Sequence, residues 1–138
     1  MKREKLTMAV FLIALLFSSV LLAQQNGSSK VNLLNYDDVK SYLNLDIDQQ
    51  ETIEPLIKEI ITIKEGDEKA IQEMRSKMQS MGMPDPLMRE KMMKERSEKQ
   101  NEINGLIKQI EQSLNKEQLE KFDGIEKPNL MDKSKKMN

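Results

Sequence analysis

The stretch LNLDIDQQ, residues 43–50, contains a helix-start signal that returns near the other end of the chain in SLNKEQLEKF, residues 113–122. Asp46 in the first copy and Asn115 in the second can accept hydrogen bonds from the first backbone N–H groups of a helix. A glutamine follows each of these residues three positions later and can reach back to it, which completes a capping box. The two glutamines are Gln49 and Gln118. Each copy therefore predicts that one helix ends and another begins.

Between the two boxes the apolar positions follow a helical spacing. From Ile53 the steps alternate between four and three residues as far as Met81, and the same spacing runs backwards from Leu114 to Met93. The sequence GMPDP, residues 82–86, interrupts the pattern, because proline does not fit the interior of a helix. We therefore predict an all-α fold, an elongated antiparallel helical hairpin with short flanking helices. The predicted helices cover residues 36–44, 46–81, 87–113 and 116–126.

The base of this hairpin is expected to hold the core. Six isoleucines on the two seams should be the most buried side chains: Ile53, Ile57, Ile60, Ile103, Ile107 and Ile110. Tyr36 or Tyr42, together with Phe122, should close this core at its end. A hairpin of this length cannot bury both faces of its helices, so we expect the chain to form a homodimer.

The middle of the seam is polar and has two interpretations. If the turn centres near Pro84, Asp67 lies opposite the region of Arg96 and Gln100, with Lys64 one turn away. These side chains are either solvated where the helices splay apart, or they form a concave face whose charges steer a partner protein.

The first 23 residues have the pattern of a secretory signal peptide. Lys2, Arg3 and Lys5 precede an apolar run that ends at Ala23, and an uncharged polar segment follows. We predict cleavage after Ala23 and export to the periplasm. The alternative is an uncleaved anchor that keeps the chain at the membrane, since eighteen apolar residues are just long enough to span a bilayer.

Four segments follow from these patterns. They are the signal peptide at 1–23, a flexible leader at 24–35, the helical hairpin domain at 36–127 and a disordered tail at 128–138. Without residues 1–23 the chain keeps 19 of its 22 basic and 22 of its 23 acidic residues, which gives a net charge of −3. Such a balance argues against nucleic-acid binding, which needs a basic face.

The composition offers little to an enzyme. The chain has no histidine, which is the commonest general base in enzymes, and no cysteine, whose thiol is a strong nucleophile. The carboxylates alternate with lysine and arginine at helical spacing, as on an ordinary solvated helix. No glycine-rich phosphate loop is present. We therefore predict no enzymatic activity and no cofactor, and we assign no catalytic, cofactor-binding or metal-binding residue.

Methionines concentrate around the predicted turn. Seven of the eleven lie there: Met74, Met78, Met81, Met83, Met88, Met92 and Met93. Methionine is a flexible filler of cores and of promiscuous binding surfaces, which is the interpretation we favour. The alternative is a copper or silver site, because thioethers are suitable ligands for Cu(I).

Two capping boxes that flank a methionine-containing hairpin behind a signal peptide resemble the LTxxQ family of periplasmic proteins, which includes the Spy and CpxP stress proteins and related heavy-metal-resistance proteins. Here Leu45–Gln49 and Leu114–Gln118 carry Asp46 and Asn115 where the family has threonine. The resemblance covers residues 36–127 and implies a dimeric α-hairpin cradle. It further implies an ATP-independent chaperone or envelope-stress adaptor that binds unfolded or envelope proteins. The alternative function is a periplasmic heavy-metal sensor or binding protein that uses the methionine-rich tip.

Overall fold

The computed structural model describes residues 30–82 and 85–132, and these residues contain four helices. The helices are α1 (Tyr36–Leu43), α2 (Ile47–Met81), α3 (Pro86–Gln112) and α4 (Lys116–Asp123). The predicted all-α fold is confirmed, and the predicted helix boundaries agree to within a few residues. The described residues contain one isolated β-bridge and no sheet. None of the described helices is long and apolar enough to cross a membrane.

Several predictions fall on residues that the structure does not describe. The signal peptide at 1–23, the first part of the leader at 24–29 and the end of the tail at 133–138 all lie outside the described ranges. Residues 83 and 84 of the break between α2 and α3 also lie outside them.

The helix starts at Asp46 and at Asn115 are both capping boxes. The N–H of Gln49 donates to Asp46 Oδ1 at 2.8 Å, and the N–H of Asp46 donates to Gln49 Oε1 at 3.2 Å. The N–H of Gln118 donates to Asn115 Oδ1 at 2.9 Å, and the N–H of Asn115 donates to Gln118 Oε1 at 3.0 Å. Both boxes are therefore confirmed, with two backbone donors satisfied in each.

The two boxes also contact each other. Gln49 Nε2 donates to Gln118 Oε1 at 2.8 Å, and Gln118 Nε2 donates to Gln49 Oε1 at 2.9 Å. Gln118 Nε2 also donates to the carbonyl of Leu43 at the end of α1, and Gln49 Nε2 donates to the carbonyl of Ser113 at the end of α3. Each glutamine thus binds the end of the helix that precedes the other box. The repeated signal therefore builds a single junction that joins all four helices.

The break between α2 and α3 follows from its residue types. Gly82 ends α2 with φ 89°, a backbone conformation that favours glycine because it has no Cβ. Asp85 then caps α3 by accepting from the N–H of Leu87 at 3.1 Å, and Pro86 occupies the first helical position. Proline suits that position since its missing N–H would have no partner inside the helix.

Helices α2 and α3 run antiparallel, because Gln49 contacts Ser113 near one end and Asp67 contacts Arg96 further along. The expected core lies between them. All six predicted isoleucines are buried: Ile53, Ile57, Ile60, Ile103, Ile107 and Ile110. Ile107 is the most exposed of the six at 8%.

The core is closed by one of the three predicted aromatic residues and partly by a second. Phe122 on α4 is fully buried, and Tyr36 packs against the core while remaining partly exposed. Tyr42 is 41% exposed. Of the two tyrosines that the sequence offered for closing the core, it is therefore Tyr36 that packs against it.

The segments on both sides of the four helices are more ordered than the sequence indicated. Leu33, in the predicted flexible leader, is fully buried, and Leu130, in the predicted disordered tail, is only 6% exposed. The N–H of Leu33 donates to the carbonyl of Glu126 at 2.9 Å, and the N–H of Glu126 donates to the carbonyl of Val31 at 2.8 Å. Residues 30–35 and 128–132 therefore belong to the packed domain, because each contributes a leucine that covers the isoleucine core.

Candidate functional site

A buried ion pair joins α2 to α3 beyond the isoleucine core. Arg96 Nε lies 3.1 Å from both carboxylate oxygens of Asp67, and the two residues are 6% and 2% exposed. The predicted position of Asp67 opposite Arg96 is confirmed. Their burial excludes the interpretation that these two charges are solvated. Lys64, by contrast, lies nearer the surface and pairs with Glu68.

Residues 127–132, which we call the strap, lie across this ion pair. The N–H of Leu130 donates to Gln100 Oε1 at 2.6 Å, and the carbonyl of Leu130 accepts a hydrogen bond from Arg96 Nη2. Gln100 Nε2 reaches the carbonyl of Pro128 at 3.4 Å. The polar middle of α3 therefore holds the main chain of the strap, which the sequence did not indicate.

The first residue of the strap is fixed separately. Lys127 Nζ donates to the carbonyl of Phe122 at 2.8 Å and lies 4.4 Å from the centre of the Phe122 ring. A cation over an aromatic face is attracted by the negative charge density of the ring. The strap is therefore attached to α4 through Lys127, its first residue, and to α3 through Leu130.

An open cavity adjoins the strap on each side. The first, of about 290 Å³, is lined by Lys64, Asp67, Glu68, Ile71, Gln72, Arg75, Arg96, Asn129, Leu130 and Asp132. The second, of about 360 Å³, is lined by Asn32, Leu34, Lys64, Glu126, Lys127, Pro128, Asn129 and Asp132. Both cavities are lined by a mixture of apolar, polar and charged residues, and they share Lys64, Asn129 and Asp132.

The hairpin continues past the ion pair as an arm, which we define as residues 68–82 and 85–95. None of the arm side chains whose exposure is described is buried. Ile71, Met74 and Met92 are partly exposed. Four large apolar side chains are exposed: Met78 at 37%, Leu87 at 72%, Met88 at 52% and Met93 at 38%. The arm thus presents apolar surface with no core of its own beneath it.

The methionine cluster is therefore divided between two partly exposed side chains, Met74 and Met92, and three exposed ones, Met78, Met88 and Met93. The side chains of Met81 and Met83 are not described. Leu87 is the most exposed apolar residue of the arm, and the sequence analysis did not single it out. The sequence feature that could have identified Leu87 is its position directly after Pro86, in the first turn of α3, where few neighbouring side chains can cover it.

Charge is unevenly distributed between the arm and the rest of the domain. The outer arm, residues 74–82 and 85–94, has five basic and two acidic residues. The body, which we define as residues 30–67 and 96–132, has ten basic and seventeen acidic residues. The domain is therefore an acidic body that carries an arm whose outer part is basic.

Two groups on the body have shifted pKa values. The pKa of Tyr36 is raised, chiefly by burial and then by the nearby negative charges of Glu54 and Asp37. The pKa of Lys58 is raised by its hydrogen bond to Glu54 and by the charge of that carboxylate. These groups lie on α1 and on the first part of α2, so they bear on neither the strap nor the arm.

The described residues contain no group of three or more histidine, cysteine, aspartate or glutamate side chains that could hold a metal ion. Every buried side-chain nitrogen or oxygen in the described ranges has a hydrogen-bond partner. The strap is held through main-chain hydrogen bonds to Arg96 and Gln100, and the arm presents exposed apolar side chains. Comparisons of the chain with protein-family models, curated proteins and solved structures gave no match.

Proposed function

We propose that the chain is a non-enzymatic, ATP-independent periplasmic chaperone or envelope-stress adaptor, and that the arm is its contact surface for unfolded or partner proteins. The observation that carries this proposal is the exposure of Met78, Leu87, Met88 and Met93 on a two-helix arm that has no buried side chain among those described. Several large apolar side chains exposed on one arm of a small protein can serve as a site of interaction.

The side chains of the arm suit a partner of variable shape. Methionine has three rotatable bonds and a polarisable sulfur, so it adapts to irregular apolar surfaces. The basic residues of the outer arm attract acidic segments, while the acidic body repels them. The proposed clients are therefore exposed apolar segments that carry acidic residues.

Two further properties belong to the proposal. Export follows from the signal-like residues 1–23, and it would deliver the chain to a compartment without ATP. Homodimerisation, which the resemblance to the LTxxQ family implies, is the second property. Sedimentation of the purified exported chain should therefore give twice the monomer mass at micromolar concentration.

An aggregation assay tests the contact surface. The purified exported chain should suppress light scattering from a denatured acidic model protein without added ATP. The variant Leu87→Ser with Met88→Ser should lose most of this suppression, because both side chains are exposed and their apolar surface is the proposed contact.

The matched control is Ile47→Ser, since Ile47 is 73% exposed but lies on the body at the start of α2. This variant should suppress aggregation like the unaltered chain. Equal suppression by the control and by the Leu87/Met88 variant would contradict the proposal.

A second substitution separates apolar contact from soft-metal coordination. Leucine keeps the apolar volume of methionine and removes the sulfur. The full replacement changes six residues to leucine: Met74, Met78, Met81, Met88, Met92 and Met93. Suppression of aggregation should remain, and the unaltered chain should bind no stoichiometric Cu(I). One tight Cu(I) per chain that disappears in this variant would instead identify a metal-binding protein.

A further inference from the structure

We propose that the arm is a site of reversible methionine oxidation, at which a peroxide converts thioethers to sulfoxides and opens the arm while the body stays folded. Five methionines of the arm have a described side chain: Met74, Met78, Met88, Met92 and Met93. The opening does not depend on what the arm binds. Only the loss of client binding that should accompany it rests on the proposed function.

Oxidisable sulfur is concentrated in the arm and is missing from the described core. The chain has eleven methionines and no cysteine, so thioethers are its only sulfur groups. The buried apolar side chains of the described residues are all leucine, isoleucine, valine or phenylalanine. Outside the arm the structure describes one methionine, Met131, which is exposed on the strap. An oxidant of methionine therefore changes the arm and leaves the described core chemically unaltered.

The arm methionines are open to a small oxidant. Met78, Met88 and Met93 are exposed, and Met74 and Met92 are partly exposed. A peroxide reacts at the sulfur: an S–O bond forms, the peroxide O–O bond breaks, and the proton of the transferred oxygen moves to the departing oxygen, which leaves as water. The sulfur is oxidised to a sulfoxide and the peroxide is reduced. The three exposed side chains should react first, because they are the easiest to reach.

Two of the three partly covered side chains described in the arm are methionines. They are Met74 on α2 and Met92 on α3, and the third is Ile71. A sulfoxide is polar, so covering it without a hydrogen-bond partner costs free energy that the apolar thioether does not cost. No side chain described in the arm is buried, so few other contacts oppose separation of the two helices there. Oxidation of Met74 and Met92 therefore favours the open arm.

The body keeps its contacts under the same treatment. Its isoleucine core and the buried Asp67–Arg96 pair contain no thioether. The two capping boxes are built from aspartate, asparagine and glutamine, which a peroxide does not oxidise. The opening should therefore stop at the ion pair.

Oxidation should also switch off the contact surface that we propose for clients. The exposed methionines become polar, which leaves Leu87 as the only large exposed apolar side chain described in the arm. The change is reversible, because methionine sulfoxide reductases restore the thioether. In that reaction a pair of thiols is oxidised to a disulfide and the sulfoxide oxygen leaves as water.

Limited digestion with trypsin tests the opening, because cleavage of a helix follows the population of its open form. The full exported chain is treated with hydrogen peroxide, and peptide mass mapping identifies the methionines that have gained one oxygen. Each cleavage rate is normalised to that of the same site in the urea-unfolded chain in the same oxidation state, so that a sulfoxide beside the site is not counted.

Cleavage of the arm and of the body should respond differently to the peroxide. After oxidation, cleavage at Arg75 and Arg89 on the arm should be faster by about tenfold or more. Cleavage at Lys40 and Lys108, which are exposed on the body, should stay within about twofold. Reduction with methionine sulfoxide reductases and dithiothreitol should restore the original rates.

Two matched variants identify the methionines responsible. Each replaces one methionine on α2 and one on α3 by leucine, which has a similar volume and no sulfur. Met74→Leu with Met92→Leu removes the two partly covered thioethers, so peroxide should change the cleavage of its arm by less than about twofold. Met78→Leu with Met88→Leu changes exposed positions only, so its arm should still be cleaved about fivefold faster or more after oxidation. Met131 should gain oxygen in both variants and thereby confirm equal treatment.

The proposal is overturned if peroxide leaves cleavage of the arm unchanged, if it accelerates cleavage of arm and body equally, or if it accelerates cleavage of the Met74/Met92 variant as much as that of the unaltered chain. The aggregation assay is read separately. There the oxidised chain should lose most of its suppression, and full suppression would contradict the loss of client binding. If the untreated chain does not suppress aggregation, the proposed chaperone function fails, and the cleavage rates alone decide on the oxidation site.

Discussion

Replacing Gln118 by alanine should be among the most damaging single changes to a polar residue of the body. Its side-chain amide takes part in four hydrogen bonds, to Leu43, Asn115 and twice to Gln49, and the residue is only 6% exposed. A hydrogen bond contributes about 0.5–1.5 kcal/mol net. Water can reach some of the partners after the change, so we expect a loss of about 2–4 kcal/mol in the free energy of unfolding.

A double-mutant cycle with Gln49→Ala makes the reasoning refutable. Gln49 and Gln118 share two hydrogen bonds, so the double variant should lose less than the sum of the single losses, by about 1–3 kcal/mol. Urea unfolding followed by circular dichroism measures all four chains. Gln109→Ala, at an exposed position on α3, should change the stability by less than about 0.5 kcal/mol. Additive losses, or a Gln118 effect no larger than that of Gln109, would show that the two boxes do not form one junction.

Three other predictions concern the caps, the core and the ion pair, and thermal or urea unfolding tests each of them. Asp46→Ala and Asn115→Ala should each cost about 0.5–2 kcal/mol, because each leaves helix N–H groups without a side-chain partner, and unchanged midpoints in both would exclude the caps. Ile57→Ala should cost about 2–5 kcal/mol since this side chain is fully buried, and a loss below half a kilocalorie would place it outside the core. Asp67→Ala should lower the free energy of unfolding by about 3–5 kcal/mol, because it leaves Arg96 buried without its carboxylate. The double variant Asp67→Leu with Arg96→Met should recover most of that loss. Equal losses in the single and the double variant would show that the unpaired charge is not the cause.

The parts of the fold that could be predicted are those encoded by local pattern. Asp46 and Asn115 mark helix starts through residue type and spacing alone, and the isoleucine seam reports which face of each long helix is buried. The position of Asp67 opposite Arg96 followed from counting outward from the turn, because two straight antiparallel helices keep a fixed register.

The parts that could not be predicted depend on contacts between distant segments. Gln49 and Gln118 were each assigned to their own box, and nothing local indicates that the two amides bind each other. Leu130 stands in a mostly polar segment with one proline, Pro128, and no periodicity, so this segment has the composition of a disordered tail. It is ordered because Gln100 and Arg96 satisfy its main chain and the core accepts its side chain, and these are tertiary effects.

The absence of buried side chains among those described in the arm has a consequence for local stability. Amide hydrogen exchange follows the free energy of the smallest opening that exposes each N–H, and that energy is low where few apolar contacts must be broken. We expect the amides of residues 70–82 and 87–94 to exchange together through an opening that leaves the isoleucine core intact. The Asp67–Arg96 pair would mark the edge of this cooperative unit, with slow exchange beginning within one helical turn on its body side. The outer third of the hairpin would then melt and reform many times during the lifetime of one folded molecule.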